Sequence, residues 1–409
     1  MTPGRGGRYR AEILPGWPGV GWATAAGLEA ATPFQSARWL DGWYAIMAGG
    51  GDVTPLPVLV REAGEAGAAV ALLPLVLRRE AGRRLVEFAD RGITDYNAPL
   101  LGPGAPADRE GGLALWRAVR AALPAADLAL LTKMPVEVGG RPNPLALLPG
   151  TAASNVFGNV LTIGDDFAAW RRQHLTKHAR KELDRSWRVF ARHEGASFRR
   201  VADPADAGRV FDDLARMQRE RIAGSGRPYI LDDPDHDRFH RHLVETGLAD
   251  GSLILAALEA EGQTVAALLG IADGRCFAMT RLSHAGGERW HASSPGRLVI
   301  EKTMEHLHGS GCRVFDFTIG DYAHKRRFEV SRVPLVELTS ALSARGLPRL
   351  GRDRVKAFVK RRPALAQAAR RAVATAARVR AVVAGGAAAP STPGAASPGR
   401  MPVPGATQG

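Results

Sequence analysis

Cysteine, lysine and aromatic side chains are scarce in this 409-residue chain, and each scarcity excludes something. The two cysteines, Cys276 and Cys312, form neither a CxxC pair nor a zinc spacing. That excludes a disulfide-framed secreted module and a structural zinc site. One disulfide is formally allowed, but a reducing cytoplasm is the plainer setting. Lysines number 7 against 48 arginines in a chain rich in alanine and glycine, which reads as coding bias rather than selection for phosphate recognition. Long hydrophobic runs are missing too. The most apolar stretch, residues 66–77, is about 12 residues long with Pro74 inside it, too short to cross a bilayer. No apolar segment follows the N-terminal Met1-Thr2-Pro3-Gly4-Arg5, so no signal peptide is expected. The P-loop, a GxGxxG after a strand, the GxSxG elbow and HExxH are all absent. ATP hydrolysis, dinucleotide redox and α/β-hydrolase chemistry thereby lose their usual supports.

Acidic residues are nearly missing from the last stretch. From Gly346 onward, 12 Lys and Arg face only Asp353, so that stretch carries +11 of the formal +14. The body is close to neutral. The high pI therefore does not predict a DNA-binding protein; it predicts a basic appendix. Residues 349–383 form a basic, Ala-rich helix candidate interrupted by Pro363, followed by Ala/Gly/Pro/Ser low complexity. With Val355, Phe358, Val359 and Leu365 partly on one side, this tail is compatible with weak contact to an anionic membrane surface or with a solubilising end.

What is present predicts a globular protein of two or three domains, at about 150 residues each. Residues 33–47 read as a helix capped by Thr32, with Pro33 in its first turn. Two β-like runs, 56–61 and 68–77, flank a Glu-Ala-Gly turn, and 84–88 is a third strand. A helix at 111–123, a strand at 127–133 and a Pro/Gly-rich stretch to Gly150 complete the first half. The second half predicts a long basic helix over 167–193, helices at 204–221, 235–247 and 295–308, and strands at 252–258, 264–272, 275–282, 313–318 and 333–342. The hairpin at 56–77 recurs at 253–272, each time followed by a strand, a helix and another strand. This pattern predicts a duplicated α/β unit. The expected division is a disordered 1–30, domains at 31–150 and 151–345, and the tail 346–409.

Three places carry candidate chemistry. Ser293-Ser294-Pro295-Gly296-Arg297 opens the helix at 297–308. A Pro/Gly turn there exposes backbone N–H groups at the positive end of the helix dipole, which suits a pyrophosphate; an ordinary cap is the alternative. Residues 315–328 place Asp316 near a strand end, with Asp321, Tyr322, His324 and Lys325 beyond it. These groups can deprotonate an amine, protonate a thiolate or hold a phosphate; a solvated turn is the alternative. Lys177, Arg180 and Lys181 lie on the basic helix, where a polyanionic substrate or plain solvent could meet them. His236, His240 and His242 lack a nameable third ligand, so surface histidines and no metal are expected.

Four segments together resemble a known family: PFQSARWLDGWYAIM, TDYNAPLLGP, LTKHARKELDRSWRVFARHEG and SSPGRLVIEKTMEHLHGSGCRVFDFTIGDYAHKRRFEV. They are similar to the CelD/BioF-like acyltransferases of the GNAT superfamily, tandem-GNAT proteins related to the Fem aminoacyltransferases. The resemblance covers about residues 30–340. It implies an α/β fold with mixed sheets, two GNAT-like units side by side, and an acyl donor, most simply acetyl-CoA, at Ser293–Arg297. It implies Asp316 or Asp321 orienting or deprotonating the acceptor amine, and Lys325 holding phosphate or charge. Asp95, Tyr96 and Arg281 join Lys177, Arg180 and Lys181 as substrate-binding candidates. The family's Gln/Arg-x-x-Gly-x-Gly/Ala signature is reduced here to SSPGR, and His324 stands where Tyr often precedes the closing Lys. The implied activity is cytoplasmic acyl transfer to an amino or hydroxyl group of a sugar or cell-envelope precursor in exopolysaccharide or cellulose biosynthesis. Two alternatives are a Fem-like transferase using aminoacyl-tRNA and a non-catalytic part of a polysaccharide machine.

Overall fold

The structure is a computed structural model, and it describes residues 7–29, 32–64, 67–223, 226, 228–320 and 327–352. Among the predicted site residues, Asp321, Tyr322, His324 and Lys325 lie outside the described residues, as do residues 353–409 of the basic tail and the first six of the expected disordered start.

The first half runs β1 (Tyr9–Ile13), α1 (Val20–Ala25), a 3-10 turn (Pro33–Gln35), α2 (Ala37–Met47), β2 (Val53–Glu62), β3 (Ala69–Glu80), β4 (Arg83–Phe88), β5 (Leu100–Leu101), α3 (Arg109–Ala122), β6 (Leu128–Pro135), the small β7–β8 hairpin (Glu137–Val138 and Arg141–Pro142) and β9 (Ala152–Ala153). The second half runs β10 (Gly158–Thr162), α4 (Phe167–His174), α5 (Lys177–Phe190), β11 (Ser197–Arg200), α6 (Pro204–Ala223), α7 (Pro234–Gly247), β12 (Leu253–Ala260), β13 (Gln263–Ala272), β14 (Cys276–His284), α8 (Glu288–His291), α9 (Pro295–Gly309), β15 (Val314–Asp316), β16 (Ser331–Val333) and β17 (Leu335–Ala341).

The repeated hairpins are real, and so is the repeated unit. β2, β3 and β4 pair antiparallel; the chain then passes through α3 and returns as β6, parallel to β4. β12, β13 and β14 do the same, with α9 as the crossover and β15 parallel to β14. Each unit is a mixed sheet with its crossover helix on one face. Both sheets depart from sequence order: β10 lies between β15 and β16 in the second, and β17 lies between β6 and β9 in the first. β17 pairs antiparallel with β6, so the segment 151–345 sends its last strand into the first sheet.

Three apolar layers follow from this arrangement. One lies between the halves, where α2 packs on α7 and the Trp39 and Phe239 rings meet edge to face at 5.0 Å. A second lies under α3 on the first sheet, and a third lies under α4, α5, α8 and α9 on the second.

Two helix expectations are corrected. The helix at 33–47 begins as a 3-10 turn capped by Thr32, then resets at Ser36, whose extended backbone (ψ 160°) and side chain cap α2. The long helix at 167–193 is broken. Leu175 is buried in an extended conformation, Thr176 caps α5, and the Arg180 guanidinium donates to the carbonyls of Arg172 (2.7 Å) and Leu175 (2.6 Å), closing the end of α4.

Candidate functional site

β14 and β15 are the strands that make the site. They pair in parallel for three residues, ending with Ala278 opposite Asp316; β15 then stops while β14 runs on to His284. A register shift between Leu269 and Gly270 bulges β14 at Thr280, where the strand begins to part from its neighbour. The chain then passes through Gly286, Gly287 and α8 into α9.

A cavity of about 460 Å³ opens there. Its walls are the turn Ser294–Arg297, Leu282 and His284 of β14, Trp290 and His291 of α8, Arg221 at the end of α6, and Arg327. The turn is built as an open helix start. Ser294 holds the left-handed conformation (φ 46°, ψ 57°), and its side chain makes no capping bond. Pro295 has no N–H, and the Gly296 N–H has no acceptor among the described residues. A Cβ on Gly296 would stand 2.7 Å from the His284 ring, so glycine lets the turn press against β14. The helix dipole adds positive potential at this point, and Arg221, Arg297 and Arg327 add charge. Arg297 is tied down. It donates to Glu182 of α5 at 3.0 Å, and this hydrogen bond holds the Glu182 carboxyl below its ordinary value. The residues present therefore fit an anionic phosphate group. Ser293 does not line the cavity; it is fully buried, and its hydroxyl donates to the Trp290 carbonyl.

The structure brings Tyr96 and Asp316 together from opposite halves. The Tyr96 hydroxyl donates to Asp316 Oδ1 at 2.9 Å, and the Thr318 N–H donates to the same oxygen at 2.6 Å. Burial, then the nearby Asp316 carboxylate, pushes the Tyr96 phenol well above its ordinary value, so it stays a donor. Gly158 permits this contact, since a Cβ there would lie 2.3 Å from the Tyr96 oxygen. Tyr96→Phe removes one donor from a buried carboxylate. The expected cost is about 1–3 kcal/mol, read as a lowered denaturation midpoint. An unchanged midpoint would exclude a stabilising role for the bond.

Arg281 is buried on the face of β14 that meets α6, where Nη1 donates to Gln218 Oε1 at 3.1 Å. Desolvation pulls its guanidinium down to about 10. Asp95 is half-buried beside Tyr96. Lys177, Arg180 and Lys181 sit elsewhere, in a groove of about 360 Å³ between α4 and α5 that they share with Arg171, Arg172 and Asp184. That groove and the cavity at α9 have no wall residue in common.

The histidine expectation is corrected. His236 and His240 are buried, not on the surface: α7 turns them into the layer between the halves, and His240 Nδ1 lies 2.7 Å from the His236 carbonyl. The described residues contain no cluster fit for a metal ion. Arg221, His284, Trp290, His291 and Arg327 were not among the sequence candidates. His284 lies just past the strand expected at 275–282; the structure extends that strand to it.

Residues 177–326 match the family described as Acetyltransferase (GNAT) domain. Among solved structures, the chain is similar to FemX at 10% identity, covering 77% of this chain and 94% of that one, with a TM-score of 0.53. It also matches the C-terminal DUF2156 domain of a putative lysylphosphatidylglycerol synthetase from Agrobacterium fabrum (13% identity, 81% and 94% covered, TM-score 0.47). A third match is a tandem GNAT protein from the clavulanic acid biosynthesis pathway (12% identity, 82% and 99% covered, TM-score 0.46). No curated protein gives a significant match. The fold is thus a mixed α/β arrangement of GNAT-like units, with a GNAT acetyltransferase domain in the second half. The part of the chain that matches this acetyltransferase domain, residues 177–326, contains the turn Ser294–Arg297 and the head of α9.

Proposed function

We propose that the protein transfers an acetyl or longer acyl group from acyl-CoA to an amino group of a sugar or cell-envelope precursor. The reading extends to the CelD/BioF-like branch and to exopolysaccharide or cellulose biosynthesis in the cytoplasm. The observation that carries the donor assignment is the uncapped turn Ser294–Arg297 at the head of α9, opening into a cavity walled by three arginines. In this reading the Gly296 N–H, Arg221 and Arg327 hold the donor's phosphates. The acceptor amine attacks the thioester carbonyl and gives up a proton to the site, the C–S bond breaks, and the thiolate leaves with a proton from the site. Asp316 lies where β14 and β15 part, and its Oδ1 already accepts two hydrogen bonds; its role is to orient the acceptor. Lys325 as a phosphate or charge group, and Asp321, Tyr322 and His324 as proton-transfer groups, remain assignments from the family resemblance. No described helix is long and apolar enough to cross a membrane.

The test is calorimetric titration with acetyl-CoA. Micromolar binding is expected. Absence of binding by the folded protein would exclude free acetyl-CoA as donor. The second reading, an aminoacyl-tRNA donor, is favoured by the cationic groove between α4 and α5. It predicts binding of tRNA that falls steeply with salt, whereas acetyl-CoA binding needs only a few phosphate contacts.

A further inference from the structure

Arg281 is a buried cation with no carboxylate bonded to it among the described residues. Only 8% of it is exposed. Its Nη1 donates to a neutral amide, Gln218, and its Nε has no hydrogen-bond partner. It forms no ion pair among the described residues. Asp95 and Asp237 act on it only through space, and Asp237 is bonded to Arg241 at 2.7 Å. Two further neighbours are neutral: Tyr229 donates its hydroxyl to Gln218, and burial holds His240 well below its ordinary value. A buried guanidinium whose Nε–H has no partner is costly for a folded protein to keep. Such a group marks a place where an anion belongs.

Its position says which molecule brings that anion. Gln218 and Arg221 are one turn apart on α6, and both donate to the carbonyl of Leu282, at 3.2 and 3.4 Å. Arg221 and Leu282 line the cavity at α9. Arg281 is therefore next in the strand to a cavity wall residue, yet faces the layer between the halves. It stands beside the donor cavity and outside it. A single guanidinium among neutral groups matches one planar negative charge better than a phosphate dianion, which calls for several cations.

We infer that Arg281 binds a carboxylate carried by the acceptor, so that the acylated amine belongs to an amino acid or a carboxylated amino sugar. This rests on the acyl-transfer reading above, with the acceptor's amine turned toward the donor cavity.

The test uses the full chain without acetyl-CoA. Thermal denaturation is followed with alanine, with muramic acid, with glucosamine and ethylamine as carboxylate-free amines, and with inorganic phosphate, all at fixed ionic strength. Alanine or muramic acid is expected to raise Tm by about 2 °C or more near saturation, and the two carboxylate-free amines to leave it unchanged. The two carboxylates differ in source, so the one giving the larger shift identifies it. In Arg281→Met the shift is expected to vanish while acetyl-CoA titration stays intact. The ligand-free Tm of this variant should equal or exceed that of the wild type, because an uncompensated buried charge has been removed. Arg281→Lys keeps the charge without the fork and should bind the carboxylate at least about tenfold more weakly. Equal shifts in wild type and Arg281→Met, no shift in the wild type, or a shift with phosphate alone would each overturn the assignment. Should Arg281→Met not fold, undiminished binding by Arg281→Lys serves as the overturning result. A wild type that responds to carboxylate but does not bind acetyl-CoA would overturn the donor reading and leave Arg281 as assigned.

Discussion

Gly296→Glu is expected to weaken acetyl-CoA binding by at least about 100-fold, equivalent to about 2.7 kcal/mol. Two effects act together. A side chain at this position meets the His284 ring, because even a Cβ would stand at 2.7 Å. The new carboxylate also brings negative charge to a helix start whose exposed N–H and dipole favour anions. Gly296→Ala separates these effects. It adds the contact without the charge, and His284 is exposed and able to swing aside, so a loss of about tenfold or less is expected. Calorimetry measures both variants, and circular dichroism checks that α9 still forms. If Gly296→Glu bound acetyl-CoA as tightly as the wild type, the phosphates could not sit at this turn. The donor would then have to be placed elsewhere, with the cationic α4–α5 groove as the next candidate.

The parts of this fold legible in the sequence are those set by local pattern. Alternating apolar runs gave both hairpins, and Pro295 behind two serines marked the start of α9 correctly. Local pattern does not reach further. Nothing in the strand 335–341 says that it pairs with β6, some 200 residues earlier; that choice belongs to sheet edges that only the assembled halves create. The break between α4 and α5 depends on Leu175 being buried and on Arg180 reaching back to close a helix, and both are tertiary facts. The site shows the same limit. The turn 294–297 could be read from Pro, Gly and a following helix. Its cationic wall could not, since Arg221 and Arg327 come from distant segments and look like ordinary surface arginines in sequence. Tyr96 and Asp316 were both singled out, but their pairing joins positions 220 residues apart. His236 and His240 misled because a polar α7 reads as a surface helix, whereas the second half buries one face of it against α2.

Arg171→Ala is expected to lower stability by about 3–5 kcal/mol at neutral pH, the usual cost of stranding a buried charge. Arg171 reaches from α4 to Glu301 of α9 at 2.5 Å and to Asp184 of α5 at 2.7 Å. Glu301 is only 4% exposed, and burial pushes its carboxyl above the ordinary value even with Arg171 opposing the shift. Without the arginine, only the charge of Lys302 opposes it. The folded protein then holds this proton more tightly than the unfolded chain does. Stability of the variant should therefore recover as pH falls through the raised folded-state value towards the ordinary glutamate range, and should be lowest at neutral pH and above. A second change tests the cause. Arg171→Ala combined with Glu301→Leu removes the stranded charge and should regain most of the loss, since well-packed apolar replacements of buried pairs are often neutral. Urea denaturation across pH measures all three proteins. A loss that is flat with pH and persists in the double variant would mean that Arg171 acts through packing of its stem and not through charge. The pair also bears on catalysis. Glu301 lies five residues after Gly296 on the same helix, so the clamp from α4 fixes the rotation of α9 and with it the direction in which the donor turn faces. Weakened acetyl-CoA binding should accompany the stability loss in Arg171→Ala and be restored with it in the double variant.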